Sequence, residues 1–331
     1  MPTVRALQVQ ALDGPDAIAL VEVPEPGDVH PLLGQPGVVV DVHAAGVAFP
    51  DVLLTRGEYQ FKQEPPFVLG AEVAGVVREA PRDSAFRPGD RVAAFTLTAA
   101  FQEVAVAPTW LTWKLPGALD FAQGAALILN YHTAYFALQT RGGLREGETV
   151  LVQGAAGGVG TAALQVANGL GARTIAVVSS ADKERVAREA GADEVVRAEG
   201  FRDAVKELTG GTGVDIVLDP VGGDRFVDSL RTLARGGRLL VVGFTGRSIP
   251  EVKVNRLLLR NTAVVGAAWG EWILGMPPEA RRIGDAVNEL AEAGHVRPVV
   301  GARLPLERGA EAVRMLDERG ALGKVVLDVR G

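Results

Sequence analysis

A glycine-rich segment, GAAGGVG at positions 154–160, has the residue types and spacing of a loop that binds a phosphate group. Glycine permits a tight turn and close approach of the backbone to a pyrophosphate, and the N-terminus of a following helix offers N–H groups. The spacing is G-x-x-G-x-x-G rather than G-x-G-x-x-G, but the position between a predicted strand and a predicted helix favours a dinucleotide site. The alternative is a tight turn that binds nothing. The residues expected to contact the dinucleotide are Gly154, Ala156, Gly157, Gly158, Val159 and Gly160.

The end of the next predicted strand indicates which dinucleotide is bound. Loops that bind NAD usually have Asp or Glu there, about 20 residues further on, to hold the ribose hydroxyls. In this chain the strand ends in Ser179 and Ser180, and Lys183 follows. No carboxylate would repel a 2′-phosphate, and a cation would attract one. The sequence therefore predicts NADPH, although Lys183 alone could equally be a solvated helix residue.

Two kinds of element must position these residues. Up to about residue 120, short valine-rich strands are separated by Gly and Pro, which predicts a mostly antiparallel β-domain. From Phe121 onward, apolar strands alternate with helices, which predicts a parallel sheet buried on both faces. A helix is predicted over Asp182–Ala192, which Asp182 could cap and Gly191 could end. The predicted parallel strands are Glu148–Gly154, Arg173–Ser179, Gly213–Gly223, Gly236–Phe244 and Asn261–Trp269.

The last part of the chain allows two arrangements. A helix over Glu279–Ala293, a strand over Pro298–Leu304, a helix over Leu306–Glu318 and a strand over Lys324–Val329 are predicted there. They could extend the parallel sheet or return to the first domain.

Composition excludes several classes of function. The chain has 331 residues, enough for two domains, and a net charge of −6 without any basic run, which argues against nucleic acid as a partner. It has no cysteine, so disulfides, thiolate catalysis and cysteine-based metal sites are excluded. Neither a signal-peptide core nor a membrane span is recognisable, so we expect a cytoplasmic protein.

The order of β-domain, glycine loop and alternating strands and helices resembles the medium-chain dehydrogenase/reductase superfamily over essentially the whole chain. Five local motifs narrow the resemblance: AAGGVG in the loop, Phe49–Tyr59, Pro66–Val77, Pro88–Val92 and His132–Leu138. They resemble the quinone oxidoreductase, zeta-crystallin-like branch of the superfamily. This resemblance implies an α/β protein with a mostly β GroES-like domain, made of residues 1–122 and 270–331. A doubly wound Rossmann domain, residues 123–269, would be inserted between them.

The same resemblance predicts that no metal is bound. Zinc alcohol dehydrogenases of the superfamily hold a catalytic zinc with Cys, His and Cys, and the matching positions here are Ala48, Ala71 and Leu129. Only the neighbouring Glu72 remains, and the four histidines show no ligand spacing. Zinc lowers the pKa of a bound alcohol, whereas quinones and conjugated enones accept hydride without such help. We therefore expect reduction of an electron-poor acceptor.

The resemblance also implies a cleft with nicotinamide contacts and an apolar substrate side. On the substrate side, Ala48 and Leu53 stand where the family often has Asn and Tyr. At the cofactor, a different family tyrosine, near the 2′-phosphate, has no counterpart in the matching segment RAEGF (Arg197–Phe201). Thr133 could instead be a helix residue, and Arg319 a solvated helix end. Candidate proton donors are Tyr59, Asn130, Tyr131 and His132, with water as the alternative. The implied cofactor neighbours are Thr133, Val242, Gly243, Phe244, Ala267, Ala268, Trp269 and Arg319.

These observations favour NADPH-dependent reduction of a small apolar quinone without zinc. Two alternatives stay open: an enone or enoyl-thioester (enoyl-CoA) reductase, and a non-catalytic NADPH-binding protein. The apolar strand Asn261–Trp269 has few charges to protect a sheet edge, so a homodimer is expected.

Overall fold

The structure, a computed structural model, describes residues 2–330 and divides into two compact units. Unit 1 comprises residues 2–129, 277–288 and 298–330. Unit 2 comprises residues 130–276 and 289–297.

The division differs in detail from the domains expected from the sequence, 1–122 with 270–331 and 123–269. The first border lies at 129/130, inside a helix, and the second at 276/277, directly before another helix. Residues 289–297 group with unit 2. A helix that continues across a border has no turn residues there, so the sequence carries no signal at these positions.

The first part of unit 1 is built from short strands, as the valine-rich segments between Gly and Pro predict. The strands are β1 (Thr3–Val9), β2 (Ile18–Pro24), β3 (Val38–Val47), β4 (Phe67–Val68), β5 (Glu72–Glu79), β6 (Arg91–Phe95), β7 (Val104–Ala107) and β8 (Thr112–Lys114). The helices are α1 (Phe49–Thr55) and α2 (Phe121–Tyr135), of which Phe121–Leu129 belongs to unit 1.

Unit 2 alternates strands and helices. Its strands are β9 (Thr149–Val152), β10 (Arg173–Val178), β11 (Glu194–Arg197), β12 (Val214–Asp219), β13 (Leu233–Val241) and β14 (Ala263–Gly266). Its helices are α3 (Gly158–Gly169), α4 (Ala181–Glu189), α5 (Phe201–Leu208), α6 (Phe226–Thr232), α7 (Asn255–Arg260) and α8 (Trp269–Ile273), and α2 continues into a π-helical stretch, Phe136–Arg141.

The C-terminal elements return to unit 1. They are α9 (Pro277–Glu292), β15 (Val300–Pro305), α10 (Gly309–Asp317) and β16 (Lys324–Asp328). Strand β16 pairs antiparallel with β3 and parallel with β15, which gives the sheet order β15-β16-β3-β5-β6-β8, with β7 also on β3. The prediction of a return to the first domain is therefore confirmed. A second, three-stranded sheet has the order β2-β1-β4.

Apolar side chains of β3, β5, β6, β16 and α10 form the core of unit 1. Val40, Val73, Val92, Val313 and Leu327 are buried members of this cluster. All pairs among β1–β8 are antiparallel, which confirms the prediction for the first part of the chain.

The sheet of unit 2 is parallel throughout, with the order β11-β10-β9-β12-β13-β14. Numbered within the unit this is 3-2-1-4-5-6, the order of a dinucleotide-binding Rossmann fold, and it confirms the predicted fold class. Leu151, Val177 and Leu239 pack on one face with Phe201 of α5 and Phe226 of α6. Their neighbours on the opposite face, Val150, Ala176 and Leu240, are fully buried as well, so the sheet is buried on both faces.

One helix start was predicted wrongly. Helix α4 is capped by Ser180, whose Oγ accepts a hydrogen bond from the backbone N–H of Lys183 at 3.3 Å. Asp182 lies in the first turn instead, because the backbone is already helical at Ala181 and the last extended residue is Ser180. Gly191 follows the C-cap Ala190 with φ of +92°, the left-handed conformation expected after a helix. No helix within residues 2–330 is long and apolar enough to cross a lipid bilayer.

Candidate functional site

The glycine loop joins the carboxyl end of β9 to the start of α3. Gly154 turns the chain with φ of +59°, and its carbonyl oxygen accepts the N–H of Gly157 at 3.0 Å. Gly157 is the N-cap of α3, and its carbonyl accepts both the N–H and the hydroxyl of Thr161, at 2.9 and 3.0 Å. The loop thus ends at a helix N-terminus, whose first N–H groups are the kind that bind a phosphate.

The glycines of the loop are required for two different reasons. A Cβ at Gly158 would overlap the side-chain amide of Asn130, and a Cβ at Gly160 would overlap the carbonyl of Gly154. A Cβ at Gly157 would meet only the Gly154 oxygen, at 3.4 Å. Packing therefore explains Gly158 and Gly160, whereas the space in front of Gly157 is open, as a bound pyrophosphate would need. The loop fits a dinucleotide.

Three further strand ends lie along the same edge of the sheet. The N–H of Val242 donates to Asp219 O at 3.0 Å, and the N–H of Ala267 donates to Val241 O at 2.9 Å. The edge therefore brings together three of the predicted groups of cofactor residues: the loop, the segment 242–244 and the segment 267–269. Ala267 and Trp269 are buried, Val242 and Gly243 are half-buried, and Phe244 and Ala268 are exposed.

Asp219, at the end of β12, belongs to this edge and was missed from the sequence. Its Oδ1 accepts the N–H groups of Val221 and Gly222 at 2.8 and 2.9 Å. Within residues 2–330, Oδ2 has no hydrogen-bond partner. Burial raises the pKa of this carboxyl, and the two N–H groups oppose the shift. The sequence does indicate this residue, since Asp219 ends an apolar predicted strand (VDIVLD), where the side chains of a dinucleotide site are expected.

The residues predicted to select NADPH follow β10. Ser179 and Ser180 are exposed and Lys183 is half-buried. The Nζ of Lys183 lies 3.3 Å from the Oγ of Ser179. A hydroxyl, a helix N-terminus and an ammonium group thus converge at the position where a 2′-phosphate is expected.

The candidate proton donors of unit 2 lie in consecutive positions on α2. Asn130 is buried against the glycine loop. The Tyr131 hydroxyl donates to Oε1 of Gln165 at 3.0 Å inside the unit, so its geometry is that of a packing residue. The His132 ring meets Trp269 edge-on, with centroids 5.4 Å apart, and Thr133 is half-buried.

Two predicted site residues belong to unit 1. Tyr59 is half-buried after α1. Arg319 is exposed after α10, with φ of +58°, an unusual conformation for a residue other than glycine.

Two of the positions that match zinc ligands adjoin a buried ion pair in unit 1, since Ala71 precedes Glu72 in the chain and Leu129 is hydrogen-bonded to it. The Nζ of Lys324 donates to Oε1 of Glu72, and the backbone N–H of Leu129 donates to Oε2 at 2.7 Å. The side chains of Glu72 and Lys324 are 1% and 4% exposed. Lys324, which begins β16 between apolar residues, was missed from the sequence. In the part of the chain that the structure describes, no three His, Asp or Glu side chains cluster as metal ligands would.

Asp51 extends this buried group of charges. Its Oδ2 accepts the N–H of Ala48 at 2.7 Å. Burial raises the pKa of Asp51 to about 7, and the nearby Glu72 carboxylate adds to the shift while the Ala48 N–H and the Lys324 ammonium oppose it. Burial likewise raises the pKa of Glu72, against the effect of Lys324.

A two-unit architecture with a glycine loop at the carboxyl edge of a parallel sheet defines the dehydrogenase/reductase class. Comparison with known families agrees: "Alcohol dehydrogenase GroES-like domain" matches residues 34–117, and "Zinc-binding dehydrogenase" matches residues 158–289.

Individual relatives are similar over nearly the whole chain. Quinone oxidoreductase-like protein 2 of Bos taurus is 36% identical over 92% of this chain and 88% of its own. Among solved structures, a "probable oxidoreductase" from Mycobacterium abscessus is 47% identical, with a TM-score of 0.89 and 99% of both chains covered. The quinone oxidoreductase from Thermus thermophilus, solved also in complex with NADPH, is 33% identical with a TM-score of 0.82, covering 98% and 100%. The chain belongs to the quinone oxidoreductase branch of the medium-chain dehydrogenase/reductase superfamily, and it is an enzyme of that class.

Proposed function

We propose that this enzyme reduces quinones and related electron-poor acceptors with NADPH, without a metal. One observation carries the proposal, namely that both oxygens of Glu72, the carboxylate beside the zinc-ligand positions, accept hydrogen bonds from the protein. One oxygen accepts from the Lys324 ammonium and the other from the Leu129 N–H. The three ligand positions themselves, Ala48, Ala71 and Leu129, offer no donor side chain. An enzyme without a Lewis acid at this place is suited to acceptors that delocalise the arriving charge.

The loop of unit 2 supports the choice of cofactor. The helix N-terminus at Gly157–Gly160 would hold the pyrophosphate, and Ser179, Ser180 and Lys183 would hold the 2′-phosphate. The Thermus relative is solved in complex with NADPH, which agrees with these residues. Bound NADPH would supply a hydride. The segments 242–244 and 267–269 would orient the nicotinamide from the same sheet edge.

On the substrate side, the apolar residues Ala48 and Leu53 favour an apolar acceptor. For the proton, Tyr59, Asn130 and His132 stay candidates, with water as the alternative, and Thr133 stays a candidate catalytic residue beside the nicotinamide. The Tyr131 hydroxyl is less suited, since Gln165 holds it inside unit 2.

We also propose a homodimer formed along β14. This strand is at the edge of the sheet of unit 2, and Val264 on it is 38% exposed. Leu258 and Leu259, just before it, are about three-quarters exposed. An apolar sheet edge of this kind favours pairing with a second copy across a two-fold axis. A cytoplasmic location stays a prediction, with which the absence of cysteine is compatible.

The test is a panel of acceptors with both cofactors. NADPH oxidation is followed by its absorbance with quinones, α,β-unsaturated ketones and enoyl-CoA thioesters. We expect turnover with the apolar quinones and a preference for NADPH over NADH. Turnover with enoyl-CoA alone would assign the enzyme to enoyl-thioester reduction instead, and stoichiometric NADPH binding without turnover would indicate a non-catalytic protein.

A further inference from the structure

The register of the parallel sheet in unit 2 places Arg197 beside the serines that follow β10. Val178, the last residue of β10, pairs with Arg197, the last residue of β11. The backbone continues this pairing, since the N–H of Ala198 donates to Val178 O at 2.8 Å. Ser179 comes directly after Val178. The Arg197 backbone is therefore one strand spacing, about 5 Å, from the place where the predicted 2′-phosphate contacts begin.

The Arg197 side chain extends toward the first turns of α4. Its Nη2 donates to Oε2 of Glu184 at 2.8 Å, and the side chain is 47% exposed. Helix α4 is the helix whose N-terminus carries Ser180 and Lys183. A guanidinium has five N–H donors in a planar fork, and the Glu184 contact uses one of its nitrogens. Further donors can therefore reach an incoming anion.

The local charges favour an anion. Arg188 shares Glu184 with Arg197 through Oε1, at 2.9 Å. Glu184 is thus shared between two guanidinium groups, and Arg188 lies in the last turn of α4, away from Ser180. A phosphate dianion near Ser180 would be attracted by Lys183 and Arg197, although Asp182 opposes it from the first turn.

We propose that Arg197 is a specificity-determining residue for the 2′-phosphate of NADPH, acting together with Lys183. The proposal rests on the proposed NADPH dependence of this enzyme. Arg197 opens the RAEGF segment, where the tyrosine expected from the resemblance is missing, and a guanidinium can bind a phosphate with two parallel hydrogen bonds. An exposed arginine held at one nitrogen by a carboxylate is oriented for that contact before the cofactor binds.

The test measures binding rather than turnover. Dissociation constants for NADPH and NADH are obtained by fluorescence titration for the wild-type protein and for Arg197→Ala. We expect the NADPH constant to rise about tenfold, the lower end of the effect of one charge-assisted hydrogen bond, and the NADH constant to stay within about twofold. The matched control is Arg188→Ala, which removes the other arginine that binds Glu184, one turn further along α4. This variant should leave the ratio of NADPH to NADH dissociation constants unchanged.

The possible failures are distinguishable. If wild-type protein binds NADH as tightly as NADPH, the proposed cofactor preference fails, and this inference fails with it. If the wild type prefers NADPH but Arg197→Ala keeps the same ratio of NADPH to NADH dissociation constants, only the role of Arg197 is overturned. An equal loss of affinity for both cofactors would also overturn it, because it would indicate a structural effect. A second readout compares the dissociation constants of adenosine 2′-monophosphate and adenosine 5′-monophosphate. The wild type should bind the 2′-monophosphate more tightly, and Arg197→Ala should lose this preference.

Discussion

Lys324 and Glu72 form an ion pair inside unit 1, between the first residue of the last strand and the first residue of β5, 252 positions apart in the sequence. The second oxygen of Glu72 accepts the N–H of Leu129, so both carboxylate oxygens have donors. A buried ion pair gains stability only when its remaining polar atoms are paired, and this one fulfils that condition for the carboxylate. The pair places a fixed positive charge next to positions at which the related alcohol dehydrogenases hold a metal.

Removing the lysine should therefore destabilise the protein strongly. In Lys324→Met the Glu72 carboxylate stays buried without its ammonium, and we expect the free energy of unfolding to fall by about 3–5 kcal/mol. In the double variant Glu72→Gln/Lys324→Met the amide oxygen can still accept the Leu129 N–H, so at least half of the loss should return. Urea unfolding measures both. A loss below about 1 kcal/mol in the single variant would contradict the importance of the pair.

Asp51 should make the stability depend on pH near neutrality. Its pKa is raised by burial from 3.8 to about 7, so the folded state holds a proton that the unfolded state releases. Such a group stabilises the fold below the unfolded pKa, and this contribution is lost as the pH rises toward the folded pKa. Between about pH 4 and pH 7 the free energy of unfolding should fall by up to about 1.4 kcal/mol per pH unit.

Asp51→Asn provides the matched control, because its amide oxygen can still accept the Ala48 N–H. Urea unfolding of this variant over the same pH range should show a flatter dependence than the wild type. Equal slopes in the two proteins would mean that Asp51 is ionised in the folded state throughout.

The sequence was sufficient to predict those strands, helices and loops whose residue pattern is strong over a short stretch. The apolar strands of unit 2 and the glycine loop before α3 are specified by residues within a few positions of each other. The return of β16 to β3 followed only from the resemblance to the family, since its apolar residues fit either sheet. The start of α4 was predicted at Asp182 because Ser and Asp are both good N-caps, and only the end of β10 decides between them.

The features that sequence analysis missed depend on contacts between distant parts of the chain. Lys324 precedes the apolar run Val325–Leu327 of β16, and its ion pair with Glu72 explains why it is buried there. Asn130 was expected as a proton donor, whereas its packing against Gly158 depends on how α2 approaches the loop. The positions of Asp219 at a strand end and of Arg197 beside Val178 follow from the register of the parallel sheet. The sequence does not specify this register, because its strands are apolar runs without polar alternation.

A charged side chain at the open glycine of the loop should abolish cofactor binding. Gly157→Asp places a carboxylate where the pyrophosphate is expected, and the NADPH dissociation constant should rise by more than about tenfold. Gly157→Ala is the matched control, because a Cβ there has room and carries no charge. Both variants should keep the wild-type thermal unfolding temperature, which separates this effect from misfolding. Full NADPH affinity in Gly157→Asp would show that the pyrophosphate binds elsewhere.

The edge of unit 2 should determine the oligomeric state. We expect a dimer mass by light scattering at micromolar concentration, and Val264→Lys should shift it toward the monomer because lysine disfavours pairing at a sheet edge. Leu32→Lys changes an apolar residue of similar exposure in unit 1, 46% against 38%, and should leave the mass unchanged. A wild-type monomer, or a Val264→Lys protein that stays dimeric, would contradict pairing along β14.

Activity without bound metal is the property that most clearly separates quinone reduction from alcohol dehydrogenation in this enzyme. The enzyme is treated with a chelator, its zinc content is checked by elemental analysis, and kcat/KM is measured for NADPH with an apolar 1,4-quinone and for NADP⁺ with a secondary alcohol. We expect the quinone to be reduced with kcat/KM within about twofold of the untreated enzyme, and alcohol oxidation to be negligible before and after treatment. Loss of quinone reduction on chelation that zinc restores, or efficient alcohol oxidation in the chelated buffer, would contradict this expectation.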